Sequence, residues 1–343
     1  GLHSIPGTWV ESIQITKGTG NVVNGYESMA GLVNLELKKP NHMERFLFNA
    51  YVNAYGRAEV NLNSSHHLGE KWKTALMGHA SGIFLENDYN NDGFLDMPIA
   101  RDFSLFNRWD YRGKNMEVQF GGHLYTEIHD GGQFNNSNSL PLYEVDRASK
   151  NLDLFAKTGF FFKKINRSLG IVYNYKIHQS QNQFGLRDFS GNEERGYINV
   201  IYDDCIGNKD HAIKTGLSFV YSDITQNLDT SLSMIQYVPG VFFEYTFSSS
   251  RMNVILGSRY DYHNLYGGQF SPRAHLKFIL SEYTDLRLTA GKAWRVPNMI
   301  IDNISLLANS KTWVYPDNIL PEISWNAGFS IVQRFKLFKR NSS

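Results

Sequence analysis

Residues 116–127 read MEVQFGGHLYTE. In an extended strand Met116, Val118, Phe120, Gly122 and Leu124 share one side, while Glu117, Gln119, Gly121, His123, Tyr125 and Glu127 share the other. One face is apolar and the other polar. The same alternation recurs in RFLFNAYVNAYG, where Phe46, Phe48, Ala50, Val52 and Ala54 oppose Leu47, Asn49, Tyr51 and Asn53. In PRAHLKFIL, Ala274, Leu276, Phe278 and Leu280 oppose Arg273, His275 and Lys277. VFFEYTF and LRLTAG repeat it again, so a period of two and not 3.6 organises the chain. An apolar face of this kind lies against a protein core in a soluble sandwich, or against lipid in a membrane barrel whose polar face lines a lumen.

The connectors discriminate between the two. From HHLGEKWK onward they run short then long: FLENDYNNDGFLDMPIARD, YRGKN, HDGGQFNNSNSLPLYEVDRASK, FKKINRS, HQSQNQFGLRDFSGNEERG, CIGNKDH and TQNLDTSLSMIQYVP. The series continues through FSSSRMN, YHNLYGGQFSP and SEYTD to a final long stretch beginning WRVPN. Short turns at one end and long loops at the other are the habit of outer-membrane barrels. About fourteen strands are expected from Glu44 onward, each long enough to cross a bilayer at a tilt. A soluble propeller would need a fixed repeat of about 40–50 residues with a blade signature, and none is present. The fold class read from the pattern is therefore all-β, a transmembrane antiparallel barrel. On this reading Phe120 faces lipid near the bilayer midplane.

Composition narrows the function. At 343 residues the chain exceeds a typical sandwich, and its 34 Lys and Arg against 33 Asp and Glu leave no basic excess for a nucleic-acid partner. Aromatic residues make up 14% of the chain and lie among Asn, Gly and Ser, a mixture suited to strands and turns. No apolar run is long enough for a membrane-spanning helix. The single cysteine, Cys205, has no second cysteine to pair with inside the chain and reads as a small apolar filler of a strand.

Residues 9–40 stand apart from the hairpin series. They hold two short strands, Glu11 to Thr16 and Leu32 to Leu37, around a stretch punctuated by Gly18, Gly20, Gly25 and Gly31. A phosphate-binding loop is ruled out, because the Lys-Ser or Lys-Thr ending and the following helix are missing. The run from Glu11 to Pro40, with Ile13, Ile15, Lys17, Gly18, Gly25, Ala30, Gly31, Asn34 and Lys38-Lys39-Pro40, resembles the end of the plug domain of TonB-dependent outer-membrane receptors. FSPRAHLKFILSEYTDLRLTAGKAWRVPN (270–298) and PEISWNAGF (321–329) are similar to the middle of the barrel in that family. Gly31-Leu32-Val33 departs mildly from the double glycine common at that point.

The resemblance implies a plug portion at 1–40 and the first part of a barrel at 41–343, about 14 strands of an expected 22 or so around a plugged lumen. It implies that a TonB box and the start of the plug precede Gly1 and that further strands follow. It also implies a multi-pass protein of the Gram-negative outer membrane, taking up a scarce ligand with TonB as partner. A ferric siderophore or other iron complex is the leading cargo; cobalamin, haem, a copper or zinc complex and a glycan are alternatives, and a passive or enzymatic barrel is the alternative from another class. The plug residues Lys17, Gly18, Gly25, Ala30, Gly31 and Asn34 would serve the transport machinery, and Asn49, Tyr51, Gln119, His123, Arg273 and His275 would face the lumen.

One stretch has cation-binding chemistry. DYNNDGFLD offers Asp88, Asn90, Asp92 and Asp96 around Gly93, as a calcium loop does, yet the twelfth position is Ile99 and not the bidentate Glu of a helix-loop-helix site. An Asx-rich turn that caps its own backbone is the other reading. The eleven histidines are scattered, His66-His67 at an expected short turn, with no pair at zinc-ligand spacing. No nucleophile elbow or metalloprotease motif is present, no cofactor is required, and an enzyme is not expected.

Overall fold

The computed structural model describes residues 4–29, 31–133, 142–164, 166–309, 311–316, 319–337 and 340–342. Two short strands, β1 (Val10–Lys17) and β2 (Gly31–Leu37), pair as an antiparallel hairpin, flanked and interrupted by the 3-10 turns Gly7–Trp9 and Val22–Asn24. A 14-stranded antiparallel sheet follows. Its first half is β3 (Phe46–Val52), β4 (Arg57–Leu68), β5 (Trp72–Ile83), β6 (Ile99–Arg112), β7 (Met116–Gly132), β8 (Glu144–Phe161) and β9 (Ser168–Phe184). The second half is β10 (Arg187–Cys205), β11 (His211–Leu228), β12 (Thr230–Ser248), β13 (Met252–His263), β14 (Gly267–Ser281), β15 (Thr284–Arg295) and β16 (Glu322–Gln333). Each strand pairs with its neighbours in sequence, so the order runs from β3 to β16, and among the described residues these two edge strands are each paired on one side only. The all-β architecture is the one the period-two pattern specifies. None of the described helices is long and apolar enough to cross a membrane.

The sheet curves, and its two faces differ in chemistry. On β7 the outward Phe120 and Leu124 are 39% and 40% exposed, while the inward Tyr125 and Glu127 are 3% and 6% exposed. Near the short turns the outer face carries an aromatic cluster, with Trp109 stacked on Phe120 at 6.4 Å and Trp72 against Tyr111 at 4.9 Å. Towards the other end Tyr221 meets Tyr237 at 5.6 Å, and Tyr260 and Tyr262 are exposed on the same face. Two aromatic girdles bounding an apolar band mark the outer face of a membrane barrel. Phe120 stacks in the aromatic cluster beside the short turns, and Leu124, paired across the sheet with Leu105 and Leu152, lies four residues farther along β7 on the same face.

The strand ends that flank the three long connections 84–98, 133–143 and 296–321 lie together at one end of the sheet. Several stretches expected to be loops are strand. HQSQNQFGLRDFSGNEERG forms the ends of β9 and β10 around the turn Gly185-Leu186, with Gly185 at φ 61°. TQNLDTSLSMIQYVP continues β11 into β12 through Asp229 alone, at φ 54°. Beyond the tyrosine girdle both faces are wet, so Gln179, Gln181, Gln183, Ser190, Asn192 and Asn227 lose the apolar alternation while the backbone ladder persists. His66 and His67 likewise lie inside β4 and not in the following turn.

Candidate functional site

The candidate site is the contact between residues 4–37 and the concave face of the sheet. At its first anchor the 3-10 turn Gly7–Trp9 buries Trp9 against Met77 and Phe106. Thr8 Oγ1 donates to Asn61 Oδ1 at 3.2 Å, Asn63 Nδ2 to Thr8 O at 3.5 Å, and Ser104 Oγ to Ser4 O at 3.3 Å. Period-two alternation on β4 to β7 aims these residues inward together.

The second anchor is built around the turn Val22–Asn24. Because short turns leave main-chain carbonyls without helical partners, donors must reach them from elsewhere. Arg273 on β14 supplies four contacts: Nη1 donates to Gly20 O at 2.7 Å and Asn21 O at 2.9 Å, and Nη2 to Gly25 O at 3.0 Å and Tyr26 O at 3.4 Å. Arg259 on β13 donates from Nη1 to Val22 O at 3.2 Å and from Nη2 to Ser218 Oγ at 2.5 Å, and it pairs with Asp261. The Arg259 and Asp261 side chains are 1% and 0% exposed, so this ion pair stands out of solvent, with the guanidinium 5.8 Å from the Phe242 ring centre. Asn199 Nδ2 donates to Val23 O at 3.2 Å. A Cβ on Gly257 would stand 2.8 Å from both methyls of Val22, so a glycine is needed for this approach.

Tyr26 completes the anchor by stacking on Trp294 at 4.3 Å and 14°. Its burial, with the charge of Glu27 beside it, pushes the phenol well above its ordinary pKa and keeps it neutral. Glu27 accepts from Arg195 Nη2 at 2.8 Å. Between this turn and β9 to β13 lies a cavity of about 310 Å³, lined by Asn24, Tyr26, Glu27, Asn174, Arg195 and Tyr197 among others. A third contact runs from Asn326 Nδ2 on β16 to Met29 O at 2.8 Å.

The long connection 296–321 covers part of the end from which the loops emerge. Its 3-10 stretch Ile301–Ala308 packs Leu307, with Ile300, on the inward Phe189 and Leu228. Arg187 donates to Asn309 O at 2.9 Å and Lys311 O at 2.8 Å, and Tyr315 OH to Leu228 O at 3.1 Å.

The residues singled out by sequence fall in several places. Lys17 pairs with Gly31 at one end of the β1–β2 hairpin, Asn34 Nδ2 donates to Gln14 Oε1 at 3.3 Å, and Gly18 and Gly25 turn the chain at φ 80° and 101°. Ala30 lies outside the described residues. Asn49 accepts from Asn61 Nδ2 at 3.2 Å on the inner face; Tyr51 shares that side of β3, and Gln119 that of β7. His123 is within 2.7 Å of Ser104 Oγ and its ring lies 5.8 Å from that of Trp9, whereas His275 is on β14 two positions from Arg273. Asp88 accepts the Asp92 and Gly93 amides at 3.1 and 3.0 Å, Asp92 that of Phe94 at 2.9 Å, and Asp96 that of Tyr89 at 2.8 Å. Asn90 Oδ1 takes the Asp92 amide as well, so this loop's oxygens are turned onto its own backbone.

Sequence reasoning missed Arg259, Asp261, Arg195, Asn199, Tyr26 and Trp294. The one local signal lay in SRYDYH, where Arg259 and Asp261 alternate with Tyr260 and Tyr262 and so must share the polar face.

A lipid-type outer face and a polar inner face, with residues 4–29 docked on the latter, define part of a membrane β-barrel wall. Residues 43–342 match the family described as TonB dependent receptor-like, beta-barrel, and the chain belongs to that family. It is a family of receptors and not of enzymes, whose solved neighbours are β-barrels of the Gram-negative outer membrane. None of the curated proteins matches the sequence. Among solved structures, the siderophore receptor PirA from Pseudomonas aeruginosa superposes at TM-score 0.73 and 15% identity, covering 97% of this chain and 61% of that one. FpvA from P. aeruginosa, bound to iron and a heterologous pyoverdine, gives 0.74 and 12% over 97% and 52%. The alcaligin receptor FauA from Bordetella pertussis gives 0.65 and 14% over 85% and 51%. At these identities the likeness is one of fold. The chain spans between about half and three fifths of the length of these proteins.

Proposed function

We propose that this chain supplies wall and plug anchor to an active importer of the outer membrane, which takes up a ferric siderophore or other iron complex and draws on TonB for energy. The observation that carries the reading is the capture of the 20–26 turn by Arg273 and Arg259, because a passive pore has no use for a segment bound across its lumen. Capture of the ligand falls to the long loops at 84–98, 133–143 and 296–321 and to the cavity floored by Tyr26 and Glu27, where Arg195 and Tyr197 offer a cation and a phenol to an oxygen-rich complex. The working barrel closes its wall with strands beyond these fourteen, and loosening of the anchor under TonB's pull opens the path inward.

The test is uptake by cells making the full-length receptor. Iron starvation is expected to raise its level, and cells are expected to accumulate iron from a panel of radiolabelled ferric siderophores in a TonB-dependent manner. Induction by a glycan with no response to iron, or iron uptake that persists without TonB, would overturn the reading.

A further inference from the structure

Three side chains with metal-binding chemistry meet on the inner wall, apart from the Arg273 anchor. Asp102 on β6 and Glu127 and His129 on β7 have ligand atoms that all lie within 4.8 Å of one another, a grouping of Asp, Glu and His without a counterpart elsewhere among the described residues. Asp102 and Glu127 are cross-strand partners and His129 follows Glu127 by two positions, so the pleat itself puts all three on one face. His129 Nε2 stands 2.9 Å from Asp102 Oδ1.

The carboxylates are oriented by hydroxyls from three strands. Tyr125 OH donates to Glu127 Oε2 at 2.7 Å, Ser149 Oγ to Glu127 Oε1 at 2.7 Å, and Ser81 Oγ to Asp102 Oδ2 at 3.3 Å. Outer partners of this kind fix the direction of metal-ligating oxygens. Arg147, the cross-strand partner of His129, holds Nη2 4.0 Å from Glu127 Oε1 and offsets one of the two negative charges. The remaining negative charge favours a cation.

We propose that Asp102, Glu127 and His129 form a binding site for one divalent transition-metal ion, with water completing its shell. Ligand bonds of about 2.0–2.2 Å require donor atoms roughly 3–3.5 Å apart, so side-chain rotation closes the present 4.8 Å separation around an ion. One imidazole and two carboxylates suit zinc, manganese or ferrous iron; calcium, which takes about six to eight oxygens, is a poor match. Asp102 lies one inward position beyond Ser104, whose hydroxyl holds Ser4 O, so the ion rests at the margin of the plug contact. This site is independent of the cargo assigned above, since its ligands come from the wall alone.

The experiment uses the full-length receptor in detergent, stripped with a chelator and titrated with zinc chloride by calorimetry and with cobalt chloride by visible absorption. One zinc ion per chain is expected at micromolar affinity, unaffected by millimolar calcium. A cobalt d–d band is expected as well. Both His129→Gln and Asp102→Asn are expected to weaken zinc binding at least tenfold and to alter or abolish the cobalt band, in variants shown to be folded by retained heat-modifiable migration. Absence of saturable zinc binding, or an affinity and cobalt spectrum unchanged in both folded variants, would overturn the proposal and leave a hydrogen-bonded network.

Discussion

Arg273 reaches four main-chain carbonyls that lie about 250 positions away in sequence, and a planar guanidinium with five donors is the side chain able to do so. Removing it takes this donor from the Gly20, Asn21 and Gly25 carbonyls while Tyr26 O keeps the Trp294 amide, and a buried carbonyl left unpaired costs about 1–3 kcal/mol, less where water enters the vacated space. Arg273→Ala is therefore expected to weaken docking of the 18–27 turn by roughly 2–4 kcal/mol, read as faster amide exchange in that segment with exchange in β4–β8 unchanged. Arg273→Lys should recover a fraction only, because a single ammonium cannot fork between two pairs of oxygens. Protection of the turn that stays at the wild-type level in Arg273→Ala would mean that Arg259, Asn199 and the Tyr26 stack hold it without help. Local pattern assigns Arg273 to the polar face of its strand but carries no trace of its partner. That contact exists only once β14 stands opposite residues 20–26, and the same holds for Arg259 on Val22. Glu127, Asp102 and His129 are hidden from the sequence for the same reason, since register between strands and not spacing along one brings them together.

Among the elements, β7 was readable from its first residue because lipid on one side and water on the other enforce a strict period of two. The same physics explains where the reading stopped. The outer halves of β9, β10 and β11 rise past the tyrosine girdle into water, so both their faces turn polar and they imitate loops, although their ladders run unbroken to Gly185 and Asp229. Length of the strand and length of the apolar band are separate quantities, and the sequence displays the second. Depth within the band has a measurable consequence on β7. Leu124→Arg is expected to destabilise the full-length barrel in vesicles by ~2–4 kcal/mol, since arginine there leaves water for hydrocarbon, whereas Phe120→Arg in the girdle should cost ~0–1 kcal/mol beyond its lost ring contacts. The inward Gln119→Arg should cost little. Equilibrium unfolding of the three variants decides the order, and equal losses at 119 and 124 would contradict the lipid-facing assignment.

Across the whole molecule the fourteen strands make a curved wall with two unpaired edges, β3 and β16. Phe46, Phe48 and Val52 on one edge, and Trp325, Phe329 and Ile331 on the other, are exposed. In hydrocarbon each edge carbonyl or amide without a partner costs several kcal/mol, which is why spanning sheets occur closed. The N-terminal segment does not relieve this, because β1 and β2 pair with each other and touch the wall through side chains and turns. These 343 residues alone, refolded in detergent, are accordingly expected to pair edge to edge into dimers and larger species and to lack heat-modifiable migration on gels. A longer chain whose added strands join β16 to β3 is expected to elute as a single monomer and to migrate faster before boiling than after. The Arg273 anchor is a matter of the inner face alone and should form in both, so amide protection of residues 18–27 is expected in the oligomers as well. A monodisperse, protease-resistant monomer of the 343 residues would show instead that β3 and β16 find each other, and the wall would then be a small barrel complete with fourteen strands.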